Sequence, residues 1–486
     1  MSKTYIPSIG LEVHVQLKTQ SKMFCACPVA FGEETNSLAC PVCLGLPGAL
    51  PVLNEGAIRL TLRTGLMLGC STPPVVKWDR KNYFYPDMPK DYQISQFDLP
   101  LCLDGGVPLY DLAYPKDAQK TIARPGKVVP LTRIHLEEDV AKSTHHATFS
   151  TIDFNRAGTP LMEIVSEPEI DSAEEAVAYL NSLRQILVYG GVSDADMEKG
   201  QMRCDVNISV RPPEQKQLGA KIELKNLNSV SAVRRAIRYE IERQIDCLET
   251  GEPLIQSTRR WDDDAGITTQ MRTKEDAHDY RYFPDPDLMP VLTGTMLEEV
   301  RPWVPELPHE KVERFVRDYG VTPYDASVLS SEQVLADYFE KAAAGATTPK
   351  KIANWILNNL LAVLNEQQLG IADCPVAPEK LRALVELQES GQISNLQARE
   401  VFADLFVSPD QDPARIAQAK GFEPADTGAV EAFVDQAIAQ NPAQVEEARG
   451  GNDKMLNFLT GQVMKLSKGK ANPKTVSELL HARLRG

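Results

Sequence analysis

This sequence of 486 residues lacks most of the short motifs that indicate which reaction an enzyme catalyses. It contains no Gly-x-x-x-x-Gly-Lys-Ser/Thr loop and no Gly-x-Gly-x-x-Gly turn, the two glycine-rich motifs that hold nucleotide phosphates. No Ser/His/Asp pattern and no glutaminase signature stands out either. We therefore expect that the chain alone cannot use glutamine, and its reaction has to be inferred from other residues.

Long apolar runs and positive charge are also in short supply. No run approaches the ~20 apolar residues that span a membrane, and the first seven residues lack the basic start and apolar stretch of a signal peptide, so we expect a cytoplasmic protein. A formal net charge of -15 argues against broad, non-specific nucleic-acid binding, although it leaves room for a local basic patch. The 43% hydrophobic and 24% charged residues are typical of a globular protein, and the length predicts about two to four domains.

Cysteine is present but unevenly placed. Of the nine cysteines, four form a Cys-x-Cys pair and a Cys-x-x-Cys pair early in the chain: Cys25, Cys27, Cys40 and Cys43. Four thiolates at such spacings suit tetrahedral zinc, and a site closed by four cysteines is structural rather than catalytic. Two disulfides and four free thiols are the alternatives, and disulfides are uncommon in a cytoplasmic protein.

A strictly alternating stretch at residues 8–17 predicts the first β-strand. Its odd-numbered residues, from Ile9 to Leu17, are apolar, whereas Glu12, His14 and Gln16 lie on the other face. A carboxylate and an imidazole at a two-residue step are groups that bind metals or transfer protons. A solvent-exposed strand face is the plainer alternative.

Two later strands have the same polarity. Residues 203–210 and 220–225 alternate in the same way, which predicts an antiparallel hairpin with Asp205 and Glu223 on its polar face. If this hairpin belongs to one sheet with the first strand, these acids converge with those of residues 8–17. A third strand, residues 128–136, leads into an acidic cluster that includes Glu138.

A site rich in carboxylates with one imidazole suits magnesium. It suits catalytic zinc less well, since such zinc sites more often carry two or three histidines. Glu163 stands in an apolar run and needs a partner if it is buried. A solvated acidic turn is the alternative reading of the cluster at residues 137–139.

The second half of the chain changes character. Helical patterns dominate after Thr293, and the Pro- and Asp-containing stretch 408–413 predicts a linker. The end is basic, with five Lys and three Arg against two acids from Arg449 onward. Phosphate-backbone contact and a solvated basic face both account for this charge. The predicted domains are residues 1–293, 294–407 and 408–486.

Several longer motifs resemble the GatB family, whose members are the B subunits of bacterial aspartyl/glutamyl-tRNA amidotransferases. The likeness covers nearly the whole chain, with one small departure at Asp91, where Lys-Gly-Tyr is the expected motif. The stretches that carry it are residues 10–17, 79–96, 153–161, 197–207 and 279–284, and the closing 461–465 with 469–473.

The resemblance implies a function. A GatB-family protein would bind tRNA(Gln) mischarged with glutamate, or tRNA(Asn) mischarged with aspartate, and use ATP with Mg²⁺ to phosphorylate the side-chain carboxylate. Ammonia released from glutamine by the A subunit, a glutaminase, would displace the phosphate, so the complex would be a ligase that forms a carbon–nitrogen bond. A small C subunit would complete the heterotrimer, and the non-discriminating aminoacyl-tRNA synthetase is a further candidate partner.

The resemblance also implies a fold and site residues. The fold class would be α+β, with a β-rich cradle domain built on an antiparallel sheet, followed by an all-α domain and a helical tail that binds tRNA. The four early cysteines would hold structural zinc, which the chemistry does not need because some family members lack them. The metal and phosphoryl-transfer site would comprise Glu12, His14, Glu138, Asp205 and Glu223, and the tRNA-binding lysines of the tail would be Lys465, Lys468 and Lys470.

Two other classes of function remain open at this point. A non-catalytic, zinc-containing tRNA-binding scaffold would need the tail and the cysteines but not the acidic face. A metal-dependent hydrolase acting on small molecules would turn over without tRNA or any partner protein.

Overall fold

The computed structural model describes residues 5–121, 126–273, 279–422, 427–467, 471 and 473–485. The chain divides into two compact units, Met1–His309 and Glu310–Gly486. The α+β fold class is confirmed, because a mostly antiparallel sheet region precedes a helical region. Within the described ranges, no helix combines the length and the apolar character needed to cross a bilayer.

The strands lie in the first unit, and most of them build one sheet. Its nine strands run in the order β14-β13-β12-β11-β1-β10-β7-β5, with β6 also paired to β7, and only the β12–β13 pair is parallel. The strands are β1 Ile6–Gln16, β2 Val75–Val76, β3 Asp79–Asn82, β4 Tyr92–Ser95, β5 Cys102–Leu103, β6 Gly106–Pro108, β7 Val128–Glu138, β8 Lys142–His145, β9 Ser150–Asp153, β10 Pro160–Ser166, β11 Met202–Arg211, β12 Ile222–Lys225, β13 Ser257–Asp262, β14 Ile267–Thr273, β15 Phe283–Pro284 and β16 Val291–Leu292.

The helices of the first unit support this sheet, and in the second unit all regular elements among the described residues are helices. A π-helical turn, Ile356–Leu360, joins α8 to α9. The helices are α1 Glu55–Met67, α2 Ala173–Tyr189, α3 Val230–Thr250, α4 Gly294–Val300, α5 Pro308–Tyr319, α6 Pro323–Leu329, α7 Gln333–Ala343, α8 Pro349–Trp355, α9 Leu361–Glu366, α10 Pro378–Glu389, α11 Asn395–Val407, α12 Pro413–Ala419, α13 Thr427–Gln440, α14 Pro442–Arg449, α15 Asp453–Leu466 and α16 Pro473–Arg485.

Strand β1 confirms the alternation seen in the sequence. Ile9, Leu11, Val13 and Val15 are fully buried in the core of the first unit. On the same side of the sheet, α3 packs on β11 and α2 packs against α3. Burying an aliphatic side chain of this size contributes about 1.5–3 kcal/mol to folding, so the register of β1 is strongly specified.

Helix ends and turns follow local rules. The side chain of Ser172 accepts a hydrogen bond from the amide of Glu175 at the start of α2, as the sequence predicts, and Ser229 caps α3 in the same way. Gly251 ends α3 in the left-handed conformation at φ +76°. Asp91 also has a positive φ, +62°, which explains why the family motif favours glycine at this position.

The second unit contains two separate hydrophobic clusters. One comprises apolar residues between Phe315 and Ala417, and the other comprises apolar residues between Val430 and Leu484. The predicted linker, residues 408–413, lies between α11 and α12, and both of these helices contribute to the first cluster. The three-domain division itself stays a prediction.

Candidate metal centres

The polar face of β1 lies in the middle of the main sheet, between β10 and β11. The backbone register places Glu12 opposite Asp205 of β11. Two residues further along β1, His14 lies opposite Arg203 on one side and Glu163 on the other. The sequence-based pairing of the first strand with the 203–210 strand is therefore confirmed.

One metal-suited group forms where β1, β10 and β7 meet. His14 Nε2 lies 3.3 Å from Glu163 Oε2, and His135 Nε2 lies 3.1 Å from the same oxygen. Glu137 Oε2 lies 3.7 Å from His135 Nε2. Ligand atoms of His14, Glu137 and Glu163 all lie within 4.8 Å of one another. An imidazole nitrogen and two buried carboxylates this close together fit a divalent cation that accepts oxygen ligands.

The electrostatics of this group favour charged carboxylates. Burial raises the pKa of both Glu137 and Glu163, but the positive groups beside them together lower it by more. His135 and Lys81 act on Glu137, and His135 and His14 act on Glu163, whose pKa lies well below its ordinary value. Burial alone lowers the pKa of His135, but Glu163 and Glu137 raise it to about 9. The pKa of His14 is raised for the same reason, against its own burial. The imidazoles thus supply positive charge beside these carboxylates, as a buried unpaired carboxylate is costly.

Glu138 lies on the other side of β7 from this group. Its Oε1 accepts a hydrogen bond from the amide of Ile94 at 2.9 Å and also pairs with the ammonium of Lys90. The structure therefore brings Glu137, rather than Glu138, to His14. The signal for Glu137 was present in the sequence, since His135 and Glu137 alternate on β7 as Glu12 and His14 do on β1.

A second polar group adjoins the first on the same face. Lys225 Nζ lies 2.5 Å from Asp205 Oδ2 and 2.9 Å from Glu223 Oε1. Burial lowers the pKa of Lys225, but the two carboxylates raise it by more. Glu12 Oε1 accepts a hydrogen bond from Asn207 Nδ2 at 2.8 Å. Asp205 and Glu223 thus both contact Lys225, and Glu12 lies opposite Asp205, two residues along β1 from His14.

The four early cysteines converge in a loop beside the sheet. The Sγ of Cys43 lies 3.4 Å from that of Cys25, 3.6 Å from that of Cys40 and 3.7 Å from that of Cys27. Tetrahedral zinc with Zn–S bonds of about 2.3 Å places its sulfurs about 3.8 Å apart, so the four thiols fit a zinc ion. The described cysteines form no disulfide.

A buried lysine completes the cysteine site. Lys22 is fully buried, and its Nζ lies 3.4 Å from Cys43 Sγ. A hydrogen bond from Cys25 and the Lys22 charge lower the pKa of Cys43 to about 4, although burial opposes this shift. A cation beside four thiolates offsets part of the negative charge that such a zinc site carries.

The cysteine loop is fastened to the turn that precedes β10. The amide of Leu38 donates to Asn155 Oδ1 at 2.8 Å, and Lys22 Nζ donates to the carbonyl of Phe154 at 3.3 Å. The amide of Phe154 donates to Asn36 Oδ1 at 2.7 Å. The loop therefore supports the segment that leads to Glu163.

The candidate tRNA-binding lysines lie at the end of the chain. Lys465 is exposed near the end of α15. Lys468 and Lys470 lie outside the described residues. Lys465 thus has the accessibility that the prediction requires.

Comparison with known proteins identifies the family. Residues 7–298 match the family model described as the GatB/GatE catalytic domain, and residues 337–484 match the one described as the GatB domain. The chain belongs to the GatB family. The expected resemblance is therefore confirmed, and family membership supports the assignment of the chain as one component of a tRNA-dependent amidotransferase.

Curated relatives of this GatB-family chain match it from end to end. It is 53% identical to the B subunit of the aspartyl/glutamyl-tRNA(Asn/Gln) amidotransferase from Methylacidiphilum infernorum, over 99% of both chains. The proteins of the same name from Carboxydothermus hydrogenoformans and Opitutus terrae are 48% and 49% identical, over 99% and 98% of both chains. The similarity therefore includes both the sheet region and the helical region.

Proposed function

We propose that this chain catalyses the ATP-dependent activation step of tRNA amidation. Its substrates would be Glu-tRNA(Gln), Asp-tRNA(Asn) or both, and its products Gln-tRNA(Gln) and Asn-tRNA(Asn). The observation that carries the proposal is the group of His14, Glu137 and Glu163, with Glu12 and Asp205 on the same face of the sheet. Clustered carboxylates of this kind are what phosphoryl transfer uses to hold metal ions.

The proposed reaction has two steps. An oxygen of the side-chain carboxylate attacks the terminal phosphorus of ATP, so that a phosphorus–oxygen bond forms and the bond to ADP breaks. The nitrogen lone pair of ammonia then attacks the carbonyl carbon of the acyl phosphate, phosphate leaves, and the nitrogen loses a proton. A carboxylate is a poor acyl donor, whereas the acyl phosphate has a good leaving group.

The chain's own residues would prepare this site. His14, Glu137 and Glu163 would hold Mg²⁺, which when bound neutralises charge on the transferred phosphoryl group. His135 keeps both carboxylates ionised and oriented. Lys225 holds Asp205 and Glu223 in place, where they and Glu12 would take part in metal or substrate binding. Glu138, the fifth candidate, lies on the other side of β7. Its contribution would be indirect, through its ion pair with Lys90.

The proposal extends to partners. A glutaminase, the A subunit of the complex, would supply ammonia, and a small C subunit would complete a heterotrimeric ligase of the cytoplasm. The cysteine loop would hold structural Zn²⁺, and Lys465, Lys468 and Lys470 in the tail, residues 408–486, would bind the tRNA. The non-discriminating aminoacyl-tRNA synthetase remains a candidate for handing over the charged tRNA.

The test is reconstitution of the complex with glutamine, ATP and each mischarged tRNA, followed by analysis of the amino acid on the tRNA. We expect amidated product, and we expect Glu12→Gln, Asp205→Asn and Glu163→Gln to abolish the ATP turnover that depends on charged tRNA. The exposed Glu198→Gln variant is the control and should behave as wild type. Turnover that survives all three site variants would favour a scaffold role, and turnover without tRNA would favour a hydrolase.

A further inference from the structure

Arg203 stands beside the proposed metal centre without a role in it. It lies directly opposite His14 in the β1–β11 register. Its side chain is 37% exposed, whereas the nearby Glu163 is 12% exposed. The guanidinium therefore lies at the border between the buried metal-suited group and the open face of the sheet.

One nitrogen of the guanidinium is fixed by a buried acid. Arg203 Nη2 donates to Asp139 Oδ1 at 2.9 Å, and the Asp139 side chain is 1% exposed. Gln16 Nε2 donates to the other oxygen of Asp139 at 2.8 Å. Asp139 thus holds Arg203 in one orientation.

The guanidinium has further donors to offer. Arg203 Nε, which shares an edge with Nη2, is buried and has no hydrogen-bond partner among the described residues. Arginine has five N–H donors in a planar fork, and a single carboxylate oxygen uses only part of them. The neighbouring Arg156 differs, since its Nε and Nη2 donate to the carbonyls of Val140 and Ala141, each at 2.9 Å. Arg203 therefore has donors able to bind a ligand next to His14.

We propose that Arg203 binds the oxygens of the phosphoryl group that the site transfers. Asp139 and Gln16 would be positioning residues that act through Arg203. The inference rests on the proposed function and deepens it, because it names a contact to the nucleotide that no metal ligand supplies. A phosphate suits this position, as a guanidinium fork binds two of its oxygens while the metal-suited group directly across the strand pair takes others.

The role of Gln16 follows from the same geometry. On the sequence alone, this amide shares a face with Glu12 and His14 but has no function. In the structure, it completes the hydrogen bonding of Asp139 and so fixes the carboxylate that holds Arg203. We expect Gln16→Leu to weaken nucleotide binding less than loss of the guanidinium itself.

The test measures ATP binding and turnover on the reconstituted complex. Arg203→Gln should weaken Mg–ATP binding, measured by calorimetry, by about 10- to 100-fold, the usual loss for charge-assisted hydrogen bonds, and should lower kcat by about 100-fold, as for removal of one transition-state donor. Arg203→Lys should recover only part of the Mg–ATP affinity and of kcat, because an ammonium cannot form the two parallel hydrogen bonds of a guanidinium. Inorganic phosphate should compete with ATP in wild type but weakly in Arg203→Gln.

Arg211→Gln is the matched control. Arg211 is on the same face of the same strand, and eight residues along β11 place it roughly 27 Å away at about 3.4 Å per residue. We expect its ATP binding to match wild type. Zinc content should be unchanged in every Arg203 variant and thermal unfolding should stay cooperative, which reports that the sheet is folded.

The outcomes separate this inference from the proposed function. Unchanged ATP binding in Arg203→Gln overturns the inference. A selective rise in the KM for mischarged tRNA also overturns it, since that would make the substrate carboxylate the ligand. A third outcome is that the wild-type complex binds ATP, the Arg203→Gln variant does not, and the wild-type complex forms no amidated tRNA. In that case the phosphate site stands and the proposed function fails.

Discussion

Glu163 is the residue on which the candidate metal centre most depends, because one of its oxygens lies close to both His14 and His135. We predict that Glu163→Gln lowers divalent-cation affinity by about 10- to 100-fold, a typical loss when the carboxylate frame of a metal site is changed. Mn²⁺ binding followed by electron paramagnetic resonance measures it. Glu167→Gln, just beyond β10, is the control, and equal affinity in the two variants would refute the assigned centre.

Ionisation of Asp139 should make the stability of the folded protein depend on pH. Its pKa is lowered in the folded protein, so its carboxylate stabilises the fold above the ordinary pKa of about 3.8, and this stabilisation is lost as pH falls through the lowered value. We predict that Asp139→Asn is clearly less stable than wild type at pH 7 and that the gap narrows below about pH 4. Thermal unfolding at several pH values checks this, with the exposed Asp264→Asn as control. A gap that stays constant with pH would contradict the prediction.

Single residues also mark the limit of what the sequence reveals. The acid at position 163 could be recognised as needing a partner, because it interrupts an apolar run. Alternation along β7 places Glu137 on the same face as His135 and Glu138 on the other face. How close Glu137 comes to His14 depends on the pairing of β7 with β10, and that register is not written in either strand alone.

The cysteine loop, residues 25–43, is the element with the clearest expected response. Cys43 Sγ is the thiol closest to all three others, so we predict that Cys43→Ser removes zinc from the purified protein. Elemental analysis measures the content, and Cys374→Ser, outside this cluster, should retain it. Zinc near zero in wild type would refute the site.

The loop variant should also disturb its neighbour. Because the loop is hydrogen-bonded to the turn before β10, we expect faster hydrogen exchange at residues 153–158 in Cys43→Ser. Unchanged exchange there would mean that the turn holds its shape without the loop.

Among the elements, strands and capped helices were predictable and their partners were less so. The two-residue period of residues 8–17 gives both the strand and its buried face, and Ser172 announces the start of α2. The antiparallel hairpin of β11 and β12 was also foreseeable from matching polarity. By contrast, the grouping of Glu223 with Lys225, rather than with His14, depends on where β12 ends and on its pairing with β13.

At the scale of the whole molecule, the role of the tail can be tested by truncation. The hydrophobic cluster between Val430 and Leu484 is separate from the one before it, so a cut after Phe422 removes it whole. We predict that the shortened protein keeps its zinc and the thermal transition of the sheet region but binds tRNA more weakly. Filter binding at several salt concentrations should show a smaller salt slope, since fewer phosphates are contacted.

A matched set of charge variants controls for the truncation. Neutralising Lys465, Lys468 and Lys470 with Gln should weaken tRNA binding in the same direction, whereas Lys350→Gln, exposed on α8, should not. Equal affinity of the truncated and full-length proteins would remove the tail from tRNA recognition.

The overall class of this protein was accessible from its sequence for two different reasons. The change from alternating to helical periodicity near Thr293 gives the α+β order, because each period reflects the face that an element must bury. The class of function was predicted from long family motifs, since the sequence contains no generic catalytic signature. The positions of side chains across the sheet required the three-dimensional register.

The central position of β1 has a consequence for motion. Its backbone is hydrogen-bonded on both sides, to β10 and to β11, and its apolar face is fully buried. Such a strand opens only with unfolding of the surrounding unit, so the amides of Glu12 and His14 should be among the slowest in the chain to exchange with deuterium. We therefore expect the backbone that carries the proposed catalytic groups to stay in place, so that the proposed substrates, the tRNA end and the nucleotide, would have to move to a rigid surface.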